Sequence, residues 1–117
     1  MDWKTYQEEA ERTTARLEPA ILNNLHYTMG LATEVGELLD VFKKHIAYGK
    51  PIDWVNVQEE CGDFLWYFFN FLRINGFDFE EILQKNIDKL YVRYPEKFDA
   101  EKANNRDLLH ERKTLEE

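Results

Sequence analysis

Four acidic residues near the middle of the chain have the types and the spacing to bind a divalent cation. They form two pairs whose members lie three positions apart, Glu34 with Glu37 and Glu60 with Asp63. Positions three apart in an α-helix lie about 60° from each other around the axis and one turn apart along it, so each pair points its carboxylates the same way. Two such helices packed face to face would bring the four carboxylates together.

The residues around the two pairs distinguish them from other acidic pairs in the chain. Val35 and Leu38 lie beside the first pair, and Cys61 and Phe64 lie beside the second. Such residues are usually buried, whereas carboxylates are seldom fully buried unless something pairs with them. The sequence therefore predicts carboxylates that lie among core residues and need a partner there.

Each acidic pair also encloses a glycine, Gly36 in the first and Gly62 in the second. A glycine inside a helix costs about 1 kcal/mol relative to alanine. These two costs predict that another helix approaches closely at both positions.

Four carboxylates that share a low-dielectric site repel one another, so they either take up protons or bind cations. Oxygen ligands without histidine or cysteine favour Mg²⁺ or Mn²⁺ over zinc. A pair of such ions can polarise a phosphoryl oxygen and generate a hydroxide nucleophile near neutral pH. The acidic pairs thus indicate hydrolysis of a phosphate ester or a phosphoanhydride.

The composition indicates one globular domain that does not bind nucleic-acid polymers. Hydrophobic residues make up 44% of the 117 residues, which is enough for one core. The net charge of −8 would repel a nucleic-acid backbone. No secretory signal is visible, and the longest apolar run, residues 64–69, is too short to cross a bilayer. We expect a cytoplasmic protein with no membrane partner and a single domain over residues 1–117, with a core of about residues 20–98 and a tail of residues 99–117.

The spacing of apolar residues predicts an all-α fold. Start and stop signals place four helices at residues 2–19, 20–47, 53–75 and 78–93, and residues 103–117 could form a last one. No segment has the alternation of a strand. The expected architecture is a four-helix-bundle-like fold with a polar C-terminal tail or a short extra helix.

The second predicted helix has two different sides. One side carries Glu34 and Glu37 together with His26 and Gly30. The other side is an apolar stripe of eight residues: Ile21, Leu25, Met29, Ala32, Val35, Leu39, Phe42 and Ile46.

The third predicted helix is apolar nearly all round, which predicts an oligomer. Its apolar residues cannot share one face: Val55, Val57, Cys61, Phe64, Leu65, Trp66, Phe68, Phe69, Phe71, Leu72 and Ile74. Such a helix has to be covered on several sides, and the chain has few other helices to cover it. We expect a second copy of the chain to contribute, in a homodimer or a dimer of dimers.

The acidic pairs and a later basic segment together form a longer pattern. It reads Glu34-x-x-Glu37, Glu60-x-x-Asp63, Asn86-x-x-Lys89-Leu90 and Arg93-Tyr94-Pro95. This pattern resembles the MazG-type nucleoside triphosphate pyrophosphohydrolases of the all-α NTP pyrophosphatase superfamily, over roughly residues 30–111. Spacing alone leaves open whether Glu59 or Glu60 partners Asp63, because Glu59 lies four positions before it, and the family pattern selects Glu60.

The resemblance implies Mg²⁺-dependent cleavage of an NTP or dNTP between the α- and β-phosphates, which gives the monophosphate and pyrophosphate. It implies that four carboxylates are the metal ligands and catalytic residues, with Mn²⁺ as a possible substitute: Glu34, Glu37, Glu60 and Asp63. It also implies that four residues bind substrate: Tyr67, Asn86, Lys89 and Arg93.

Other readings stay open at this stage. Within the enzyme class, the alternatives are a dUTP- or dCTP-restricted pyrophosphatase and the related phosphoribosyl-ATP pyrophosphohydrolase. Outside it, the alternative is a non-catalytic nucleotide sensor or interaction module whose acids serve metal-dependent assembly. The resemblance also permits a role in removing damaged or surplus nucleotides.

Overall fold

The computed structural model describes all residues from 1 to 117 and contains six helices and no strand. The helices are α1 (Trp3–Glu11), α2 (Ile21–Tyr48), α3 (Trp54–Ile74), α4 (Phe79–Arg93), α5 (Ala100–Asn104) and α6 (Leu108–Glu116). The predicted all-α fold class is confirmed.

The ends of α2, α3 and α4 follow from local capping. Oδ1 of Asp53 accepts hydrogen bonds from the backbone N–H groups of Val55 and Asn56, both at 3.1 Å, and so starts α3. Asp78 starts α4 in the same way. Gly49 ends α2 with a φ of 67°, a left-handed conformation that side-chain-bearing residues rarely adopt. Because these signals are local, the predicted ends of these helices agree with the structure within about two residues.

The prediction for α1 was too long, because the helix ends at Glu11. The side-chain hydroxyl groups of Thr13 and Thr14 donate to the carbonyl oxygens of Ala10 and Glu11 at 3.0 and 2.7 Å. The same two carbonyl oxygens also accept the backbone N–H groups of Thr13 and Thr14, at 3.2 and 3.1 Å, so the helix closes in a tight final turn.

The C-terminal segment holds two short helices where the sequence suggested one. Asp99 accepts from the N–H of Lys102 at 3.1 Å and starts α5. Asp107 accepts from the N–H of His110 at 3.0 Å and starts α6. Each aspartate is an ordinary N-cap, so two start signals in one polar segment give two helices.

The chain divides into two compact units, residues 1–76 and residues 77–117, and each is described by itself. In the first unit α2 packs along α3, and α1 packs against α3. In the second unit α4 packs against α6. The single-domain organisation over residues 1–117 stays a prediction.

The core of the first unit is small. Tyr27 on α2 is 1% exposed and Leu72 on α3 is 2% exposed. Asn70, also on α3, is fully buried. The side-chain amide of Asn70 donates to the carbonyl of Trp66 at 2.9 Å, and its oxygen accepts from Arg73. The one fully buried polar side chain is therefore satisfied by its own helix.

The close approach between helices occurs at Gly30 and not at the two glycines enclosed by the acidic pairs. A Cβ atom added to Gly30 would overlap the ring of Tyr67. A Cβ atom at Gly36 or Gly62 would meet no other atom within 4 Å. Within the first unit, the predicted close approach at Gly36 and Gly62 was wrong.

The apolar stripe of α2 is not covered by the other helices of the first unit. Six of its eight residues have between 42% and 83% of their surface exposed: Ile21, Leu25, Met29, Val35, Leu39 and Ile46. On α3, Val55 and Leu65 are also exposed. Exposed apolar surface of this extent is unusual for a monomer and is typical of a protein interface.

Candidate active site

The packing of α2 along α3 brings three of the four predicted carboxylates together. Glu34, Glu37 and Glu60 each offer one oxygen atom, and these atoms lie within 4.8 Å of one another. Glu34 and Glu37 come from one face of α2, while Glu60 comes from the facing side of α3. We call these three side chains the carboxylate cluster.

Two oxygen atoms of the carboxylate cluster are buried and lack a hydrogen-bond partner. They are Oε2 of Glu34 and Oε2 of Glu60. The Glu60 residue as a whole is only 6% exposed. A buried carboxylate oxygen without a donor is costly, so this arrangement calls for a proton or a cation between the side chains.

The electrostatics of the cluster agree with that requirement. A hydrogen bond that the protonated form of Glu60 can make to Glu34, assisted by burial, raises the pKa of Glu60 to about 7. Burial raises the pKa of Glu34, and the charges of Glu37 and Asp63 raise it further. Three carboxylates cannot all stay ionised at this separation without a positive charge beside them.

Asp63 lies near the carboxylate cluster but outside the group of three. It belongs to a second group of close carboxylate oxygens with Glu59 and Glu60, again within 4.8 Å. Glu60 is common to both groups, and its neighbour Glu59 is exposed. Asp63 itself is exposed. Its negative charge nevertheless contributes to the raised pKa of Glu34.

Tyr67, a predicted substrate-binding residue, lies one turn beyond Asp63 in an aromatic group. Its ring centroid is 4.9 Å from that of Trp66 and 6.0 Å from that of His26, both edge-on. Nδ1 of His26 is buried and has no hydrogen-bond partner. These contacts fix the Tyr67 ring against α2 at Gly30.

The other three predicted substrate-binding residues lie on α4, in the second unit. Asn86 is exposed and Lys89 is half-buried. The side chain of Arg93 is 15% exposed and forms an ion pair with Glu111 on α6. Nε of Arg93 donates to Oε1 of Glu111 at 2.9 Å, and Nη2 donates to Oε2 at 3.4 Å. These two hydrogen bonds use two of the five N–H groups of the Arg93 guanidinium.

Glu111 is the best-buried carboxylate of the second unit, and sequence reasoning gave it no role. It is 3% exposed and also accepts a hydrogen bond from Nη2 of Arg106 at 2.7 Å. The hydrogen bonds from Arg93 and Arg106 lower the pKa of Glu111 to about 2. The polar spacing of residues 103–117 contains no signal that this acid, and not a neighbour, points inward.

Two cavities adjoin Glu60 on the first unit. A polar cleft of about 810 Å³ runs from Glu37 and Glu60 to the turn between α2 and α3, where Lys44 and Lys50 line it. A smaller apolar cavity of about 360 Å³ also has Glu60 in its wall, beside Phe64. Sequence reasoning missed both lysines, because only the packing of α2 on α3 creates the cleft.

These features define a helical protein with a group of carboxylates that could hold a metal ion. A family model described as the MazG nucleotide pyrophosphohydrolase domain matches residues 22–98. The chain therefore belongs to the MazG family, and the predicted resemblance is confirmed. No curated protein and no solved structure matches the chain.

Membership of this family supports nucleotide pyrophosphohydrolase activity in general and a nucleotide as the substrate. The family is typically dependent on divalent metals, and the carboxylate cluster provides suitable ligands. No helix of the structure has the length and hydrophobicity that a bilayer span requires.

Proposed function

We propose that the protein is a Mg²⁺-dependent nucleoside triphosphate pyrophosphohydrolase. It would cleave an NTP or dNTP between the α- and β-phosphates to give the monophosphate and pyrophosphate. The observation that carries the proposal is the buried Oε2 atom of Glu60, which has no hydrogen-bond donor and lies in a group of three carboxylates. The family match supplies the class of substrate.

The residues present fit a divalent cation. The cluster offers carboxylate oxygens and no histidine or cysteine, which favours Mg²⁺, with Mn²⁺ as a substitute. A cation would satisfy both unpartnered oxygens and would favour the ionised forms of Glu34 and Glu60, whose pKa values are raised chiefly by burial for Glu34 and by a hydrogen bond to Glu34 for Glu60. The proposed ligands, which are also the proposed catalytic residues, are Glu34, Glu37, Glu60 and Asp63.

The bound metal would polarise a phosphoryl oxygen and lower the pKa of its water ligand. The side chains around it have separate tasks. Glu60 and Glu34 supply buried negative charge that fixes the position of the cation. Asp63, which is exposed, has a carboxylate oxygen within 4.8 Å of one of Glu60 and would be the ligand in contact with solvent.

On the family resemblance, Tyr67, Asn86, Lys89 and Arg93 are the substrate-binding residues of the proposal. Arg93 has N–H groups that are not hydrogen-bonded to Glu111. Its ion pair with Glu111 is therefore compatible with phosphate binding. The Tyr67 ring packs edge-on against Trp66 and His26, and this packing suits a residue that orients a ligand.

We also propose that the protein is a homodimer or a dimer of dimers. The exposed apolar stripe of α2 supports this, because a second copy would cover it. A nucleotide substrate suits a cytoplasmic protein that removes surplus or damaged nucleotides. The net charge of −8 disfavours nucleic-acid polymers as partners.

The test is a panel that measures pyrophosphate release from standard and modified NTPs and dNTPs with Mg²⁺ or Mn²⁺. The proposal expects release from at least one substrate and a loss of at least about 100-fold in Glu37→Gln and in Asp63→Asn. Glu8→Gln is the control, because Glu8 is an exposed acid on α1. Nucleotide binding without any release would overturn the enzyme in favour of a nucleotide sensor.

A further inference from the structure

Both acidic and basic side chains line the polar cleft beside the carboxylate cluster. Glu37 and Glu60 are among them, and so are Lys44 and Lys50. Because Lys44 follows Glu37 by two helical turns and Lys50 follows the end of α2, we place the two lysines at the end of the cleft away from the carboxylate cluster. A ligand that filled the cleft would therefore meet carboxylates, with any cations they hold, at one end and ammonium groups at the other.

Lys44 lies on the same face of α2 as Glu37. The two residues are seven positions apart, which is two turns and about 10 Å along the helix. Asp40 lies between them and binds the ammonium group of Lys44 at 2.8 Å. This ion pair with Asp40 orients Lys44 and raises its pKa, so the side chain stays charged.

Lys50 is held beside Lys44 by the end of α2. Its backbone N–H donates to the carbonyl oxygen of Lys44 at 3.2 Å, across the left-handed Gly49. Its carbonyl oxygen lies 2.8 Å from Nδ1 of His45. The ammonium group of Lys50 forms no ion pair within the first unit, where Asp40 pairs with Lys43 and Lys44 instead. The backbone of Lys50 is thus fixed while its charge is available.

The charges of the cleft select for a particular kind of ligand. Four carboxylates line it against two lysines, namely Glu37, Asp40, Asp53 and Glu60 against Lys44 and Lys50. A free anion would be repelled by this excess of negative charge. An anion that binds together with divalent cations would meet those cations at the carboxylate cluster and the ammonium groups of Lys44 and Lys50 farther along the cleft, although Lys44 is shared with Asp40. A phosphate chain with several charges along its length has this chemistry.

We propose that Lys44 and Lys50 are substrate-binding residues that hold the part of the phosphate chain farthest from the carboxylate cluster. This inference rests on the proposed function, because it places cations at Glu37 and Glu60. The two lysines would bind the pyrophosphate portion, which leaves as product. They would thereby favour triphosphates over nucleotides with fewer phosphate groups.

The experiment is a calorimetric titration of the full-length protein with pyrophosphate, in the presence and absence of Mg²⁺. We expect binding that needs Mg²⁺ and that weakens about tenfold in Lys44→Gln and in Lys50→Gln, since each removes one charge-assisted contact. Lys43→Gln is the matched control. Lys43 also pairs with Asp40, at 3.3 Å, but does not line the cleft.

Lys50→Arg separates a direct contact from a structural effect, because it keeps the charge and should retain most of the affinity. Unchanged pyrophosphate affinity in both glutamine variants would overturn the inference, as would an equal loss in Lys43→Gln. Wild-type protein that binds no pyrophosphate with Mg²⁺ would overturn it too.

The result is distinct from that of the turnover panel. Lysine-dependent pyrophosphate binding in a protein that releases none from any nucleotide would support the inference and reject the hydrolysis. Normal turnover with lysine-independent binding would do the reverse.

Discussion

The ring of Tyr67 on α3 lies directly against the backbone of Gly30 on α2, where a methyl group would overlap it. This contact lets the two helices approach closely. Because Trp66 and His26 also contact the Tyr67 ring, the ring cannot move aside freely.

Gly30→Ala should therefore destabilise the protein by about 1–3 kcal/mol, the usual cost of inserting an extra methyl group into a packed contact. The measurement is the free energy of unfolding in urea. Gly36→Ala is the matched control, because Gly36 lies in the same helix with open space where its Cβ would be. It should stabilise the helix by about 0.5–1 kcal/mol. Equal effects of the two substitutions would contradict the assigned contact.

Glu60→Gln should remove the stabilisation of the protein by Mg²⁺. At a cation concentration of 100 times Kd, the wild-type protein should gain about 2.7 kcal/mol, read as a rise in the thermal midpoint. Without the cation the variant should be at least as stable as the wild type, since one of three mutually repelling carboxylates is gone. Glu59→Gln removes an exposed neighbouring acid and should keep the response. If the stabilisation by Mg²⁺ survived Glu60→Gln but disappeared in Glu59→Gln, the metal ligand would be Glu59 and the assignment of Glu60 would be wrong.

Glu111→Gln should destabilise the second unit at neutral pH, because Arg93 and Arg106 lose the carboxylate between them. The sign of the pH dependence follows from the lowered pKa. The ionised Glu111 stabilises the folded state fully above its ordinary pKa of 4.5, and this contribution is lost as the pH falls towards about 2.

The variant should consequently show faster amide hydrogen exchange in α4 and α6 at pH 7 and a flatter loss of stability between pH 5 and about 2. Glu116→Gln is the control. It also removes a carboxylate that pairs with an arginine of α6, Arg112, but that pair is exposed. If Glu116→Gln matched Glu111→Gln, burial of the Arg93 pair would have no special effect.

Leu39→Glu should dissociate the proposed oligomer, because it places a charge within the exposed apolar stripe of α2, where Leu39 is 63% exposed. We expect the dimer Kd to rise by about 100-fold or more, measured by sedimentation velocity over a dilution series. Thr5→Glu adds the same charge to an exposed polar position of α1 and should leave the Kd unchanged. A wild-type protein that sediments as a monomer at all concentrations would reject the oligomer outright.

The helices were predictable wherever their signals are local. Asp53, Asp78 and Gly49 each act within four residues of their own position, so spacing and residue type suffice to place the ends of α2, α3 and α4. The same is true of the acidic pairs, because the positions of Glu34 and Glu37 on one face of α2 follow from helix geometry.

The details that depend on packing were not predictable from spacing. Whether Asp63 joins Glu34 or stays beside Glu59 depends on the rotation of α3 against α2. The ion pair between Arg93 and Glu111 spans 18 residues and depends on the register of α6 against α4. Glycine in a helix signals a close approach, but only the packed structure selects Gly30 over Gly36.

Cys61 is the only cysteine of the chain; it is exposed and directly follows Glu60. A thiol-reactive fluorophore or spin label would consequently attach at a single defined position without any engineering. Its signal would report the binding of a cation at the adjacent Glu60. It would also report the association of a second copy of the chain with the neighbouring apolar surface.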